Sequence, residues 1–288
     1  MSLATKAMII DVSLGMWEGF KLDKTVSERV NSEARAKAGT VRATKRIVPA
    51  EIFKSLITAR NAIKALVEAH TLPWKDNGER ILMRNMFTRF VEQYGTLEKN
   101  FVAAADEFCD RLYPAARERA AFNDTGMGAL FNPDDYPAPD TLRHKFYVTL
   151  RYEPIPEAAD FRVQLDEAHV DAIKKQMEET MNERLGVAMK DVWLRLITVI
   201  QHYADKMADT KAIFRDSTVN NMIELVDTLP GLNIMGDPNL KAIRRRLAET
   251  LYQVDPDTLR KDDTARAQAA ADAQAILEDM KGFLGATR

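Results

Sequence analysis

The residues able to do chemistry are few and scattered. The four histidines, His70, His144, His169 and His202, include no pair at a metal-ligand spacing such as HExxH. His202 and Asp205 stand three apart, a spacing that puts both on one helix face as a polar surface pair. Cys109, the single cysteine, sits beside Phe108 and Leu112 with no accompanying Cys-His signature, which reads as a buried, unreactive thiol. One cysteine also excludes an intramolecular disulfide framework and fits a reducing compartment. Gly126-Met-Gly128 lacks the Lys-Ser/Thr of a P-loop and the third glycine of a dinucleotide fingerprint. The acidic pairs Asp134-Asp135, Glu178-Glu179 and Asp262-Asp263 suit turn formation, helix capping or solvated faces as well as they suit metal binding. No catalytic residue, metal ligand or cofactor is assigned on these patterns. An enzyme reading would have to place its site in the Gly126 to Tyr136 loop.

Basic residues offer a different chemistry. Arg42, Lys45 and Arg46 crowd one weakly alternating stretch and form a candidate nucleic-acid-binding face, with Trp17, Trp74 and Tyr147 as stacking platforms if exposed beside them. Arg244, Arg245 and Arg246 follow one another on a helix, where successive side chains diverge by about 100°, so at most two share a face. The net charge of −2 argues against a wholesale polyanion binder and leaves room for a local basic face.

The elements that must position these groups are mostly helical. With 288 residues, 46% hydrophobic and 29% charged, the chain can bury an ordinary core. Neither a secretory signal nor a transmembrane run is legible, so no membrane contact is expected and the location implied is cytoplasmic, the host cytoplasm if the chain is phage-encoded. Period-two alternation predicts strands at Met8 to Met16 and Phe146 to Tyr152, a weaker one over Thr40 to Val48, and another at Phe161, Val163 and Leu165. Helical spacing predicts Thr25 to Ala38 ending at Gly39, Ala50 to Ala69, and a pair carrying Ile81 to Tyr94 and Leu97 to Leu112 that Tyr113-Pro114 ends. Further on, Ser217 to Leu229 is broken by Pro230-Gly231, and Asp237-Pro238 and Asp255-Pro256 each start a helix as N-cap and N1. The alanine-rich face over Asp262 to Met280 suits close helix packing. The fold class is α+β and mostly helical: a small sheet of sequence-distant strands packed on helices, one long central helix and a C-terminal helical region. Two regions follow, 1–165 and 166–288, or one continuous domain.

The long helix is the feature with most scope for function. From about Asp166 to Ala212 there is no proline and only Gly186, a run of about 65–70 Å at the helical rise. Ile173, Met177, Met181 and Leu185 step by four; the spacing then tightens toward heptads, as in a coiled coil. Val192, Trp193, Leu196, Ile197 and Ile200 make a broad face that predicts intramolecular core. The narrower stripe of Ile173, Met177 and Met181 is a candidate partner or oligomer contact, with adaptable methionines of the kind used for docking.

A succession of landmarks runs the length of the chain: Trp17-Glu-Gly-Phe-Lys-Leu22, Leu72-Pro-Trp74, Leu112-Tyr-Pro114, Leu130-Phe-Asn-Pro-Asp-Asp-Tyr-Pro137, Asp160-Phe-Arg-Val163, Phe214-Arg-Asp-Ser217 and Leu232-Asn-Ile234 with Asp237-Pro238. Together they resemble the bacterial and phage helical proteins grouped as domain of unknown function 3150. The resemblance implies a partner in an ATPase-driven remodelling module, since members are encoded beside MoxR-type AAA+ ATPases and von Willebrand A domain proteins, and it implies no catalytic residues. The expectation is a non-enzymatic adaptor or scaffold that assembles with a protein partner or with itself. The alternative is a nucleic-acid-binding accessory protein using Arg42, Lys45 and Arg46.

Overall fold

The alternating apolar residues near the N-terminus form β1 (Ala7–Gly15), whose Ala7, Ile9 and Ile10 are buried. The computed structural model describes residues 3–121, 127–157, 167–209, 215–251 and 255–285. The expected strand at Phe161, Val163 and Leu165, residues 210–212 at the expected end of the long helix, and Gly126 lie outside them. Two sheets hold the described strands. The larger has the order β4 (Leu72–Pro73), β5 (Arg80–Met83), β1, β6 (Tyr147–Glu153), with β5 antiparallel to both β4 and β1 and Ala7 opposite Met83. The smaller is a ribbon of β2 (Phe20–Leu22) and β3 (Thr44–Arg46). The fold is α+β and mostly helical, a small antiparallel sheet and a ribbon packed on helices.

Several elements depart from the sequence expectation, each for a definable reason. Ile81 and Leu82 belong to strand β5, not to a helix; both are buried on successive positions, so the run shows no alternation and its period is ambiguous. The two helices expected to end at Tyr113-Pro114 form one continuous path. This is α3 (Arg84–Glu107), a π-helical turn over Phe108–Leu112, and α4 (Tyr113–Ala121), so the path runs on through Pro114 with the Tyr113 N–H reaching back to the Phe108 carbonyl. Helix α1 (Lys24–Glu33) stops well short of Gly39, turned by Arg35 at φ +52°. The weak strand shrinks to β3. Lys54–His70 forms α2 as expected, after a 3-10 turn at Ala50–Phe53, and Pro139–Arg143 a short α5.

The chain divides into two compact units, each built from separated stretches: Met1–Asp11, Val67–Phe90 and Arg151–Arg288 in the first, Val12–Leu66 and Val91–Leu150 in the second. The first centres on α6 (Glu167–Ala208), followed by α7 (Asp216–Leu232), α8 (Pro238–Leu251), α9 (Pro256–Lys261) and α10 (Asp263–Gly285). From Ala188 onward α6 is core: Val192, Leu196, Ile200 and Met207 are each fully buried. They share one apolar cluster with Ala273, Ile276 and Met280 of α10 and with Ile9, Leu72 and Ile81 of the sheet. Arginines cap two helix ends here, where carbonyls lack intrahelical donors. Arg195 donates to the Glu68 and Thr71 carbonyls at the end of α2, and Arg266 to those of Lys206 and Asp209 at the end of α6. Asp237 accepts from the Asn239 amide at 2.9 Å and from Trp193 Nε1 at 3.1 Å, so this N-cap also ties α8 to α6.

In the second unit Trp17, Phe53, Phe108, Tyr113 and Phe146 make an aromatic core, with Trp17 edge-on to Tyr113 at 5.5 Å and Phe53 4.9 Å from Phe108. Tyr113 donates its hydroxyl to the Pro137 carbonyl at 2.7 Å and so anchors the long loop.

Candidate functional site

Each unit presents one candidate surface. In the first unit, the start of α6 carries no fully buried residue between His169 and Val187. Ile173, Met177 and Met181 come together, as their four-residue spacing requires, and line an open groove of about 810 Å³ with Leu3, Ala4, Ile155 and Pro156. Glu157, Gln176, Glu178, Thr180, Asn182 and Arg184 supply its polar lining. Among the described residues of α6, packing against the buried core begins at Met181; Ile173 and Met177 precede it and are half-buried. The floor is therefore apolar, adaptable and wet at its edges.

In the second unit the β2–β3 ribbon separates residues that stand together in sequence. Phe20 faces Arg46, Lys21 faces Lys45 and Leu22 faces Thr44. Because side chains alternate across a strand, Phe20 and Arg46 share one face while Lys21 and Lys45 take the other. On the outward face the Arg46 guanidinium lies 4.2 Å over the Phe20 ring, a cation–π contact, and Phe20 remains 45% exposed. Arg42 is also in solvent. Lys45 points the other way: its ammonium donates to the Leu130 carbonyl at 2.7 Å and pairs with Asp135 at 2.7 Å and Asp23 at 3.4 Å. Burial pushes the Lys45 pKa down, but the two carboxylates outweigh it and hold it above the ordinary lysine value. Asp23, accepting from the Val26 amide at 2.9 Å and facing Lys45, is held below the ordinary carboxylate value. Lys45 is thus a tie between ribbon and loop, whereas Arg42 and Arg46 are open to a ligand.

No protein-family model, curated protein or solved structure matches the chain. The surfaces therefore carry the functional reading on their own geometry.

The remaining chemistry-bearing residues have structural placements. Asp135 of the long loop serves Lys45, and Asn132 accepts from the Asp134 amide at 3.0 Å in a short 3-10 turn. His70 is buried beside Phe90, while His144, His169 and His202 are exposed and far apart in sequence. Cys109 is buried in the π-helical turn, and burial raises its thiol pKa, which disfavours the reactive thiolate. Among the described residues no group of three His, Cys, Asp or Glu side chains is arranged to hold a metal ion. Nor is any helix there long and apolar enough to cross a membrane. Of the aromatics named as stacking platforms, Trp74 is core and Trp17 packs in the aromatic cluster, whereas Tyr147 is exposed over Gly15. The aromatic beside Arg46 is Phe20. The sequence offered no signal for it, because the pairing of two three-residue strands on either side of α1 leaves no periodic trace.

Proposed function

We propose that this protein is a non-enzymatic helical adaptor that takes an amphipathic helix of a protein partner into the groove along the first half of α6. The groove itself supports this: Ile173, Met177 and Met181 line it with Leu3 and Ile155, and its polar groups form a rim. From Ile173 to Arg184 the floor runs for three helical turns, ~16 Å, which exceeds the ~10.5 Å spanned by an i, i+4, i+7 set of anchors on a docked helix. Methionine side chains repack around such anchors at small cost. The resemblance to domain of unknown function 3150 makes an AAA+ ATPase, or a von Willebrand A domain protein encoded with it, the partner to test first. A homo-oligomer built on the same stripe is the competing outcome.

The test is co-purification and sedimentation with the neighbouring gene products, with and without ATP, comparing wild type with Ile173→Asp and Met177→Asp. Both positions precede the core contacts of α6, and circular dichroism melts check that the variants keep the wild-type fold. Binding is expected to weaken about thirtyfold for each, the scale of an interface hot spot. A free monomer in every condition, or a complex indifferent to both substitutions, overturns the proposal.

A second reading belongs to the other unit. Arg42 and Arg46 stand in solvent beside an exposed aromatic ring, which favours a nucleic-acid contact through the ribbon.

A further inference from the structure

Resting on that second reading, we propose that the outward face of the β2–β3 ribbon binds single-stranded nucleic acid, stacking a base on Phe20 and Arg46 and seating the backbone on the surrounding cations. The charge is local. Residues 20–46 contain eight Lys and Arg against three Asp and Glu, in a chain whose net charge is −2. Two of the eight have carboxylate partners: Lys45, and Arg29 at 3.9 Å from Glu33. Lys24, Arg35, Lys37, Arg42 and Arg46 have none among the described residues, and neither does Lys21 on the opposite face of the ribbon. Unpaired cations at this density repel one another and gain most from a polyanion that replaces its counterions with them.

Their scaffold is built, not loose. The buried Asn31 amide holds Val41 from both sides, accepting its N–H at 2.8 Å and donating to its carbonyl at 3.0 Å. The buried Ser27 hydroxyl accepts the Ala43 amide at 2.9 Å and donates to the Asp23 carbonyl at 2.5 Å. These bonds pin residues 41–43 to α1 and hold Arg42 in place without help from its own charge. An open pocket of about 360 Å³, lined by Leu22, Lys24, Asn31 and Val41 among others, continues the ribbon from Leu22.

The ring decides for single strands. A duplex keeps its base faces inside its own stack, so an exposed Phe20 offers it little; an unpaired base can stack on the exposed part of Phe20 or on the Arg46 guanidinium that lies over it. An acidic polypeptide would use the cations equally and gain nothing from the ring plane.

The full-length chain is titrated, by fluorescence anisotropy, into labelled oligo-dT and oligo-U of about 15 nucleotides and a duplex of matching length, between about 50 and 200 mM salt. With four phosphates engaged, single-strand affinity falls about fiftyfold across that range. Phe20→Ala is expected to lose about tenfold on the single strand and nothing on the duplex, Phe20→Trp to retain binding, and Arg42→Glu/Arg46→Glu to abolish it. All these positions are exposed, and circular dichroism melts of each variant serve as the check on folding. Equal binding to single strand and duplex with Phe20→Ala neutral overturns the stacking inference and leaves the nucleic-acid reading standing. No binding to either at the lowest salt overturns both. Displacement by polyglutamate as effective as by oligonucleotide overturns both and makes the partner an acidic polypeptide.

Discussion

Lys45 shows how far neighbouring residues of one type can diverge. It is next to Arg46 in sequence and yet serves the interior, because a one-residue step along a strand reverses the face. Its side chain and those of Asp23 and Asp135 are each about one-eighth exposed, so the three charges are held between ribbon and loop. The Asp23 pKa is depressed, so its contribution to stability is complete above about pH 4 and is lost as the pH falls through the depressed value. The Lys45 pKa is raised, so its contribution is complete below about pH 10 and is lost as the pH rises through the raised value. Lys45→Met should therefore lower the urea midpoint by a constant amount across neutral pH, with the gap to wild type closing at both extremes. A gap that persists unchanged in strong acid would show that the tie is not electrostatic.

At the scale of elements, start signals are more reliable than stop signals. Asp237-Pro238 and Asp255-Pro256 begin α8 and α9 as read, with Asp255 accepting the Thr258 amide at 3.2 Å. Pro230-Gly231 does not end α7, which continues to Leu232. Proline removes the donor that the Val226 carbonyl would have received, and Arg244 Nε of α8 takes that place at 3.2 Å. Gly231 is there for space: a Cβ added to it would press on the Met86 sulfur and lie 2.5 Å from Met86 Cγ. Gly231→Ala is expected to cost about 1–3 kcal/mol through overpacking, and Met86→Ala about 2–5 kcal/mol through the cavity it leaves. Urea melts of the double variant should show less than the sum, because each change relieves the other. Strict additivity would mean that the two side chains do not compete for the same space.

For the whole molecule, the division into two units built from interleaved stretches matters more than any single element. The chain passes between them within β1, α2, α3 and β6. The apolar cluster of the first unit joins Ile9, Leu72 and Ile81 to Val192, Leu196 and the C-terminal helices, so a cut at residue 165 divides one core. A fragment of residues 166–288 should melt well below the full chain and with a smaller urea m-value, and recover on addition of 1–165. A fragment as stable as the intact protein would show that the helical region holds its own core.

Period and punctuation alone determined the helical character, the two clearest strands, the core half of α6 with its Val192 to Ile200 face, and the alignment of Ile173, Met177 and Met181. Those are properties of a repeat along one element, and the repeat is written in the residues. Tertiary structure decided that β5 is a strand, that Arg244 lets α7 pass through Pro230, that Lys45 turns inward, and that Phe20 meets Arg46. Each of these rests on a partner distant in sequence, and a single chain read in order carries no periodic record of which distant groups will meet.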